Sequence, residues 1–388
     1  MFELSDILYL INYFLGGDYL SSSHLLVNSE DLRRYVEDLY YIGYGFKKEH
    51  AEIVADVLLA ADLRGVDSHG VQRLVWYDDY IEKGLFNTNP NIKITTETLS
   101  TANIDGDNGL GMVVSKFAME LTIKKAKECG TGLVSVGNSN HYGIAAYYSM
   151  MALKEDMIGI SMTNVMPIAA PTHGRERMLG TNPLSFAIPA KTEEPFVLDM
   201  ATTAVAAGKL EVAAREEREV PKGVVLDKDG NVSTNPNSLK EGGALVMLGG
   251  ESYELGGHKG YGLATLVNAL SGALSGSIFG INPSDAQIFE NPAVKPMNIG
   301  HFFGAFQIEG FRKKDEVLDS MDGMLRSLKD SKPAPGYEKV YVAGEKEFEV
   351  EKERLKNGIP LHISTVKELI NFAQKYKINH DFLALAED

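Results

Sequence analysis

The sequence has a single cysteine, Cys129, in 388 residues. One thiol excludes an intrachain disulfide framework and cannot by itself build a thiolate metal site, so a reducing, cytoplasmic setting is expected. Cys129 closes the helix-like run Ser115 to Glu128 just before Gly130, and no charge or motif marks it as an activated nucleophile. Positive charge is also scarce, with 38 Lys and Arg against 53 Asp and Glu and a net charge of −15. Nucleic acids and anionic membranes are met by concentrated Lys and Arg, so neither partner is expected. An anionic small molecule would need a local basic pocket inside this acidic shell. The apolar run Ile7 to Leu15 is too short to span a bilayer, and residues 1–27 carry no Lys or Arg, so neither a secretory signal nor a transit peptide is expected. That run reads as an extra amphipathic helix packed on the body or on a partner subunit.

Familiar nucleotide and hydrolase signatures are missing too. No G-x-G-x-x-G occurs, since GDNGLG at Gly106 to Gly111 and GHKGYG at Gly257 to Gly262 have the wrong order. There is no P-loop. A Rossmann site is therefore disfavoured, although glycines at helix starts can still present free backbone N–H groups to phosphate. G-x-S-x-G, H-E-x-x-H and carboxylate-rich metal clusters are absent, and no metal is expected. Asp227, Asp229, Asn231 and Ser233 imitate a calcium loop, but Gly230 stands at the fourth position and Ser238 at the twelfth, so a strand, an Asp-Gly turn and a second strand are predicted. His258 and His173 stand alone on their segments and read as loop hydrogen-bonders or ligand contacts.

What is present is an ordinary globular balance, 44% hydrophobic and 23% charged, with 38 glycines, in a chain long enough for two domains. Ser29 is placed to cap a helix with Glu30 and Asp31 in its first turn and Leu32, Tyr35, Val36 and Leu39 on its apolar face. Lys48 to Leu63 reads as a second helix. From Asn91 the pattern turns to short β-rich runs, IKITTETLSTANIDG, GLVSVGNS, IGISMTN, LSFAIPA and PFVLDMA, with one helix, GLGMVVSKFAMELTIKKAKECG, among them. Strands outnumber the helices between them, which predicts a mixed sheet rather than regular βαβ winding. GGHKGYGLATLVNALSGALSG is a Gly-rich opening into a helix of small residues, NIGHFFGAFQIEGF is a strand, and the tail from Asp315 is charged and largely helical.

Two stretches gather polar groups within apolar text. Leu133 to Ala145, LVSVGNSNHYGIA, runs from a strand into a polar turn, and Ile144, Tyr147, Tyr148 and Met151 follow at helical spacing, so His141 falls where a strand ends and a helix begins. A lone histidine there is as a rule a hydrogen-bonded structural residue, yet element ends are also where open sheets keep their chemistry. Upstream, Arg64, Asp67, Ser68, His69, Arg73 and Tyr77 crowd together. If Val71 to Tyr80 is helical, His69, Arg73 and Tyr77 share one face by i, i+4 spacing, a grouping suited to an anionic, oxygen-rich ligand. The rival reading is a structural network in which Arg64 pairs Asp67 and Tyr77 packs.

The segments RGVDSHGVQRL, GNSNHYGIAAYYSMMA, APTHG, LGTNPLSFAIP, LDMATT and GHKGYGLA, in this order, resemble the malate/L-lactate dehydrogenase-like oxidoreductases, a family that includes ureidoglycolate, sulfolactate and diketogulonate enzymes. The resemblance spans about residues 28 to 375. It implies an α/β (α+β) fold with a non-Rossmann, mixed-sheet NAD(P)-binding domain (91–309) packed against a helical domain formed from both chain ends (28–90 and 310–388), after an N-terminal extension (1–27). It further implies a homodimer in which the other subunit contributes to the site, and NAD, or alternatively NADP, as cofactor. The acid/base histidine of the family falls at His141 and the histidine of its S-H-G motif at His69, with Ser68, Arg73 and Tyr77 as substrate contacts. The cofactor would be met by Val165, Thr181, Asn182, Asp199, Met200, Ala201, Lys259, Gly344 and Glu345. This sequence departs from the family where Val165 replaces a common serine and where His258 replaces a frequent proline before the lysine.

The implied reaction moves hydride between the nicotinamide and C2 of a 2-hydroxy acid, and histidine titrates in the right range to exchange the accompanying proton. Arg73 would grip the adjacent carboxylate. Malate and oxaloacetate are the expected pair, with lactate, sulfolactate or ureidoglycolate as alternatives. A nucleotide-binding protein without catalysis would lack the proton carrier, whereas both His141 and His69 are present. The acidic Glu345 favours NAD, since a 2′-phosphate would want Arg or Lys near the ribose.

Overall fold

The computed structural model describes residues 20–21, 24–278, 296–378 and 380. The run Ile7 to Leu15 lies outside the described residues. The chain divides into two compact units, one of residues up to Glu82 together with those from Lys346 onward, the other Lys83–Glu345.

The first unit opens with two short antiparallel strands, β1 (Leu20–Ser21) and β2 (His24–Val27). Helix α1 (Ser29–Asp38) is capped by Asn28, one residue before the expected Ser29, because the Asn28 Oδ1 accepts the Glu30 and Asp31 N–H groups at 2.9 and 3.3 Å. Helix α2 (Lys48–Leu63) has the predicted bounds and buries Val54, Val57, Leu58 and Ala61. The continuous helix expected from Val71 does not form. Two 3₁₀ turns, Asp67–His69 and Val71–Arg73, precede α3 (Leu74–Glu82). Gly70 between them is extended, with φ −88° and ψ −151°, and the following Val71 N–H is taken by the buried Asp62 carboxylate at 2.9 Å. The carboxylate thereby holds the backbone out of the helical path. A Cβ on Gly70 would stand 1.7 Å from the Asp62 Oδ1, so only glycine fits there.

The second unit is built on a seven-stranded sheet. Its elements are β3 (Lys93–Glu97), β4 (Thr101–Asp105), α4 (Gly111–Cys129), β5 (Thr131–Ser139), α5 (Ala145–Met151), β6 (Met157–Thr163), β7 (Leu184–Ile188), β8 (Phe196–Met200), α6 (Ala207–Arg215), the short strands β9 (Val225–Leu226), β10 (Val232–Ser233) and β11 (Ala244–Leu245), α7 (Gly257–Asn268), β12 (Ile299–Gln307) and α8 (Lys314–Lys329). Strand order is β3-β4-β5-β12-β6-β7-β8. The β4–β5 pair is parallel and the rest are antiparallel, which makes this the mixed, non-Rossmann sheet that the alternation of short strands predicts. Strand β12 reads HFFGAF because it is central and buried on both faces, between β5 and β6. The β9–β10 hairpin turns as expected, with Asp227 Oδ1 accepting the Asp229 and Asn231 N–H groups at 2.9 Å each. Helix α8 belongs to this unit and is fixed by Asp322, which accepts the Lys191 and Thr192 N–H groups.

From Lys346 the chain completes the first unit with the remainder of α9 (Glu345–Asn357), then β13 (Ile359–His362) and α10 (Ile363–Tyr376). β13 pairs antiparallel with β2, Val27 opposite Ile359, and the Tyr35 hydroxyl donates to the Leu369 carbonyl at 2.7 Å. Among the described residues no helix is long and apolar enough to cross a membrane.

Candidate active site

His141 stands two residues past the end of β5, half-buried, in a turn whose neighbours are all anchored. Asn138, at φ 52°, adopts the left-handed conformation that asparagine tolerates, and its Nδ2 donates to Asp105 Oδ1 at 2.8 Å. Asn140 is fully buried and its Nδ2 donates to the Gly109 carbonyl at 2.9 Å. Gly111, at the start of α4, permits this approach, because a Cβ there would lie 1.9 Å from the Asn140 carbonyl. The glycines of GDNGLG therefore serve a close backbone crossing. Tyr142 is stacked between Tyr148 and His301, with ring centroids 4.8 Å away in each case, and its own carbonyl accepts the Tyr148 hydroxyl at 2.5 Å. His141 itself receives the Gly143 N–H on Nδ1 at 3.4 Å.

Helix α5 follows at once, and its Ala146 N–H is capped by Asp199 Oδ2 at 2.8 Å. Asp199, expected at the cofactor, thus also ties the end of β8 to the helix behind His141. Met200 ends the same strand, and the Ala343 carbonyl accepts the Val197 N–H at 3.1 Å, which lays the Gly344 turn, at φ 92°, along β8. The Glu345 carboxylate is engaged locally by the Val342 N–H and by Lys339, at 3.2 and 3.3 Å.

A second group gathers around Asn182. This buried residue, at φ 38°, donates from Nδ2 to the Ala264 carbonyl of α7 at 3.0 Å and accepts the Val165 N–H on Oδ1 at 3.3 Å. The Thr181 carbonyl accepts the Thr202 N–H and hydroxyl at 2.8 and 3.0 Å, which brings Ala201 alongside. The side chain of Asn182 is therefore committed to the protein, while Val165 and Thr181 are half-buried at its edge. Lys259 is exposed in the first turn of α7, a helix that starts at Gly256 with φ 89° and has no side-chain cap. The preceding His258, read as standing alone, stacks on Tyr253 at 4.5 Å, and His173 lies 5.1 Å from the same ring. A cavity of about 320 Å³ borders the loop Ala170 to Arg175 and is lined by His173, but by none of the residues that the resemblance assigns to substrate or cofactor.

In the first unit, Ser68 Oγ and His69 Nδ1 are 2.9 Å apart, and Arg73 donates from Nε to the Ser68 carbonyl at 2.6 Å. Burial, helped by the Arg73 charge, pushes the His69 imidazole down to about 4, so the ring is neutral near neutral pH. Tyr77 is fully buried, and burial pushes its phenol above the ordinary range against the pull of Arg73. The Arg64–Asp67 pair of the rival reading does not form. Helix α9 claims both: Arg64 bonds Glu351 at 2.9 Å and lies 4.4 Å over the Phe348 ring, and Asp67 bonds Arg354 at 2.5 Å.

Asp62, below this turn, escaped the sequence reading because an acid in an apolar helix looks like a solvated position. Burial pushes its carboxyl up to about 8, opposed by the Val71 N–H and the Arg354 charge. An unfolded aspartate ionises near 3.9, so between about pH 4 and 8 the unfolded chain gives up a proton that the folded chain retains. The stability present below that window is lost across it. Asp62→Asn is expected to flatten this part of the profile, by on the order of 1–3 kcal/mol between pH 5 and pH 9 in unfolding midpoints. Parallel profiles for the two proteins would contradict the assignment.

A mostly antiparallel sheet, with one parallel pair, β4 and β5, joined through α4, and with an anchored imidazole at the end of β5, sets this chain apart from the doubly wound dehydrogenases. Residues 27–370 match the model of the malate/L-lactate dehydrogenase family. Malate dehydrogenase from Pyrococcus horikoshii is 47% identical over 85% of this chain and 90% of its own, and L-sulfolactate dehydrogenase from Methanocaldococcus jannaschii is 40% identical over 87% and 93%. The solved structure of the Pyrococcus horikoshii malate dehydrogenase superposes with a TM-score of 0.84 at 42% identity, covering 94% of this chain and 99% of that one. The chain belongs to the malate/L-lactate dehydrogenase family. It is a 2-hydroxy acid dehydrogenase, an oxidoreductase acting on CH–OH groups with a nicotinamide cofactor.

Proposed function

We propose that the protein interconverts malate and oxaloacetate, with NAD as cofactor and His141 as the proton carrier, working as a homodimer in the cytoplasm. The observation that carries the catalytic part is the fixed His141: its neighbours on both sides are buried and hydrogen-bonded while the imidazole itself is left half-exposed at a strand end. The malate pair rests on the 47% identity to the Pyrococcus horikoshii enzyme.

The residues present fit a nicotinamide dinucleotide. Lys259 offers an exposed ammonium at a helix start without a side-chain cap, the kind of donor set that phosphate favours. Val165, Thr181 and Ala201 edge one tied group, and Asp199, Met200, Gly344 and Glu345 lie along β8. Bound, the nicotinamide supplies or accepts the hydride. In reduction the His141 imidazolium gives a proton to the oxygen on C2 and is left neutral, and in oxidation the neutral ring takes that proton back. Arg73, with Nε committed to the Ser68 carbonyl, has its terminal nitrogens for the substrate carboxylate. His69 serves as a neutral hydrogen-bonding partner. Its imidazolium is scarce near neutral pH, so it is a poor acid for reduction. If it were the acid, the reduction rate would keep climbing as pH falls towards 4.

The second reading is L-sulfolactate, favoured by the 40% identity to the Methanocaldococcus jannaschii enzyme. Initial rates of NADH and NADPH oxidation with oxaloacetate, pyruvate and sulfopyruvate decide between them. The highest kcat/KM is expected with NADH and oxaloacetate. Preference for sulfopyruvate would replace the malate assignment, and no oxidation with any 2-oxo acid would refute the proposal.

A further inference from the structure

The central strand β12 carries an imidazole that the reaction scheme does not use. His301 is fully buried, and its two nitrogens are both engaged: Nδ1 lies 2.8 Å from Thr163 Oγ1 on β6 and Nε2 lies 2.9 Å from Ser139 Oγ at the end of β5. The strand register explains how one ring reaches both. His301 sits directly opposite Thr163, while on the other side the β5–β12 pairing shifts between Ile299 and His301 and brings Ser139 within reach. The ring plane is stacked on Tyr142 at 4.8 Å and 3°. Burial pushes the imidazole down to about 3, against a smaller upward pull from the Asn140 backbone, so the ring stays neutral through the working range.

His301 therefore touches Ser139, Asn140 and Tyr142, the two residues before His141 and the one after it. Asn140 is also held through its amide, and Tyr142 by Tyr148 and by the Ser161 hydroxyl at 3.2 Å. A phenylalanine would suffice to fill the core at this point. Two ring nitrogens bonded to hydroxyls on the two flanking strands add a fixed rotation of the turn about the strand end, which packing alone does not define.

We propose that His301 is a positioning residue for the reaction, setting the orientation of the His141 imidazole through Ser139 and Tyr142. This rests on the proposed role of His141 as proton carrier. Three variants separate orientation from mere core packing. His301→Phe keeps the stack and loses both hydrogen bonds, His301→Asn keeps hydrogen-bonding capacity without the full ring, and Ser139→Ala removes one bond with little change in volume.

The expected result for His301→Phe is a fall in kcat of about 10–100-fold with KM for NADH within about twofold, the loss that a displacement on the order of 1 Å brings to a proton-transfer geometry. Ser139→Ala should lose about 3–10-fold, and His301→Asn should recover part of the His301→Phe loss. In parallel, the His141 imidazole resonance, assigned by its disappearance in His141→Ala, should shift its titration in His301→Phe and Ser139→Ala. A structural role would lower thermal stability while kcat per folded enzyme and that titration held. Folded His301→Phe with unchanged kcat and unchanged titration would overturn the proposal. So would the same result in Ser139→Ala should His301→Phe fail to fold. A titration moved in these variants, should the wild-type protein reduce no 2-oxo acid, would uphold the positioning and refute the catalytic assignment instead.

Discussion

His141→Ala is expected to lower kcat for oxo-acid reduction by about 10²–10⁴-fold while leaving NADH affinity nearly unchanged. The reasoning is local. The imidazole is half-exposed, and the turn is held through Asn138, Asn140 and Tyr142, so truncating the ring removes the proton carrier and the Gly143 N–H contact while these anchors stay. The fall should appear in kcat and in kcat/KM alike, the pattern of an interaction made in the transition state. NADH affinity, read by fluorescence titration, reports the cofactor residues independently. A collapse of affinity with turnover retained would make His141 structural.

Arg73→Ala is expected to cut kcat/KM for the oxo acid by about 10²–10³-fold, the loss that follows when a charge-assisted, bidentate partner of a carboxylate is removed. Arg73→Lys should recover only a small part. Lysine cannot donate to the Ser68 carbonyl from Nε and at the same time present a planar fork. Because the Arg73 charge helps hold His69 low, its removal should also let the His69 titration rise part of the way towards 6.5, burial remaining as the larger cause. Full activity of Arg73→Lys would show that a point charge is enough and that the guanidinium does not orient the substrate.

The features legible in the sequence were those fixed by near neighbours. Period-2 runs broken by Pro, Gly and Asn marked β5 to β8, helical spacing set α2 at Lys48–Leu63, and the Asp227 turn showed its own chemistry. The strand-to-helix position of His141 followed from the same local patterns. What escaped was decided by partners far along the chain. The helix expected from Val71 breaks because Asp62 captures its first N–H, and Arg64 and Asp67 separate because α9 supplies Glu351 and Arg354. β13 becomes a strand only through β2. His301 looked like one more residue of an apolar strand. A histidine between Gly300 and Phe302 in a fully buried run was nonetheless a signal, since a buried imidazole must find hydrogen-bond partners.

The central claim is hydride transfer to C2 of a 2-oxo acid. It is tested most directly by incubating the enzyme with oxaloacetate and NADH deuterated at both C4 positions, then locating the label by mass spectrometry and NMR. Malate carrying one deuterium at C2 is the predicted product. Malate without the label, or cofactor oxidised with no hydroxy acid formed, would contradict it.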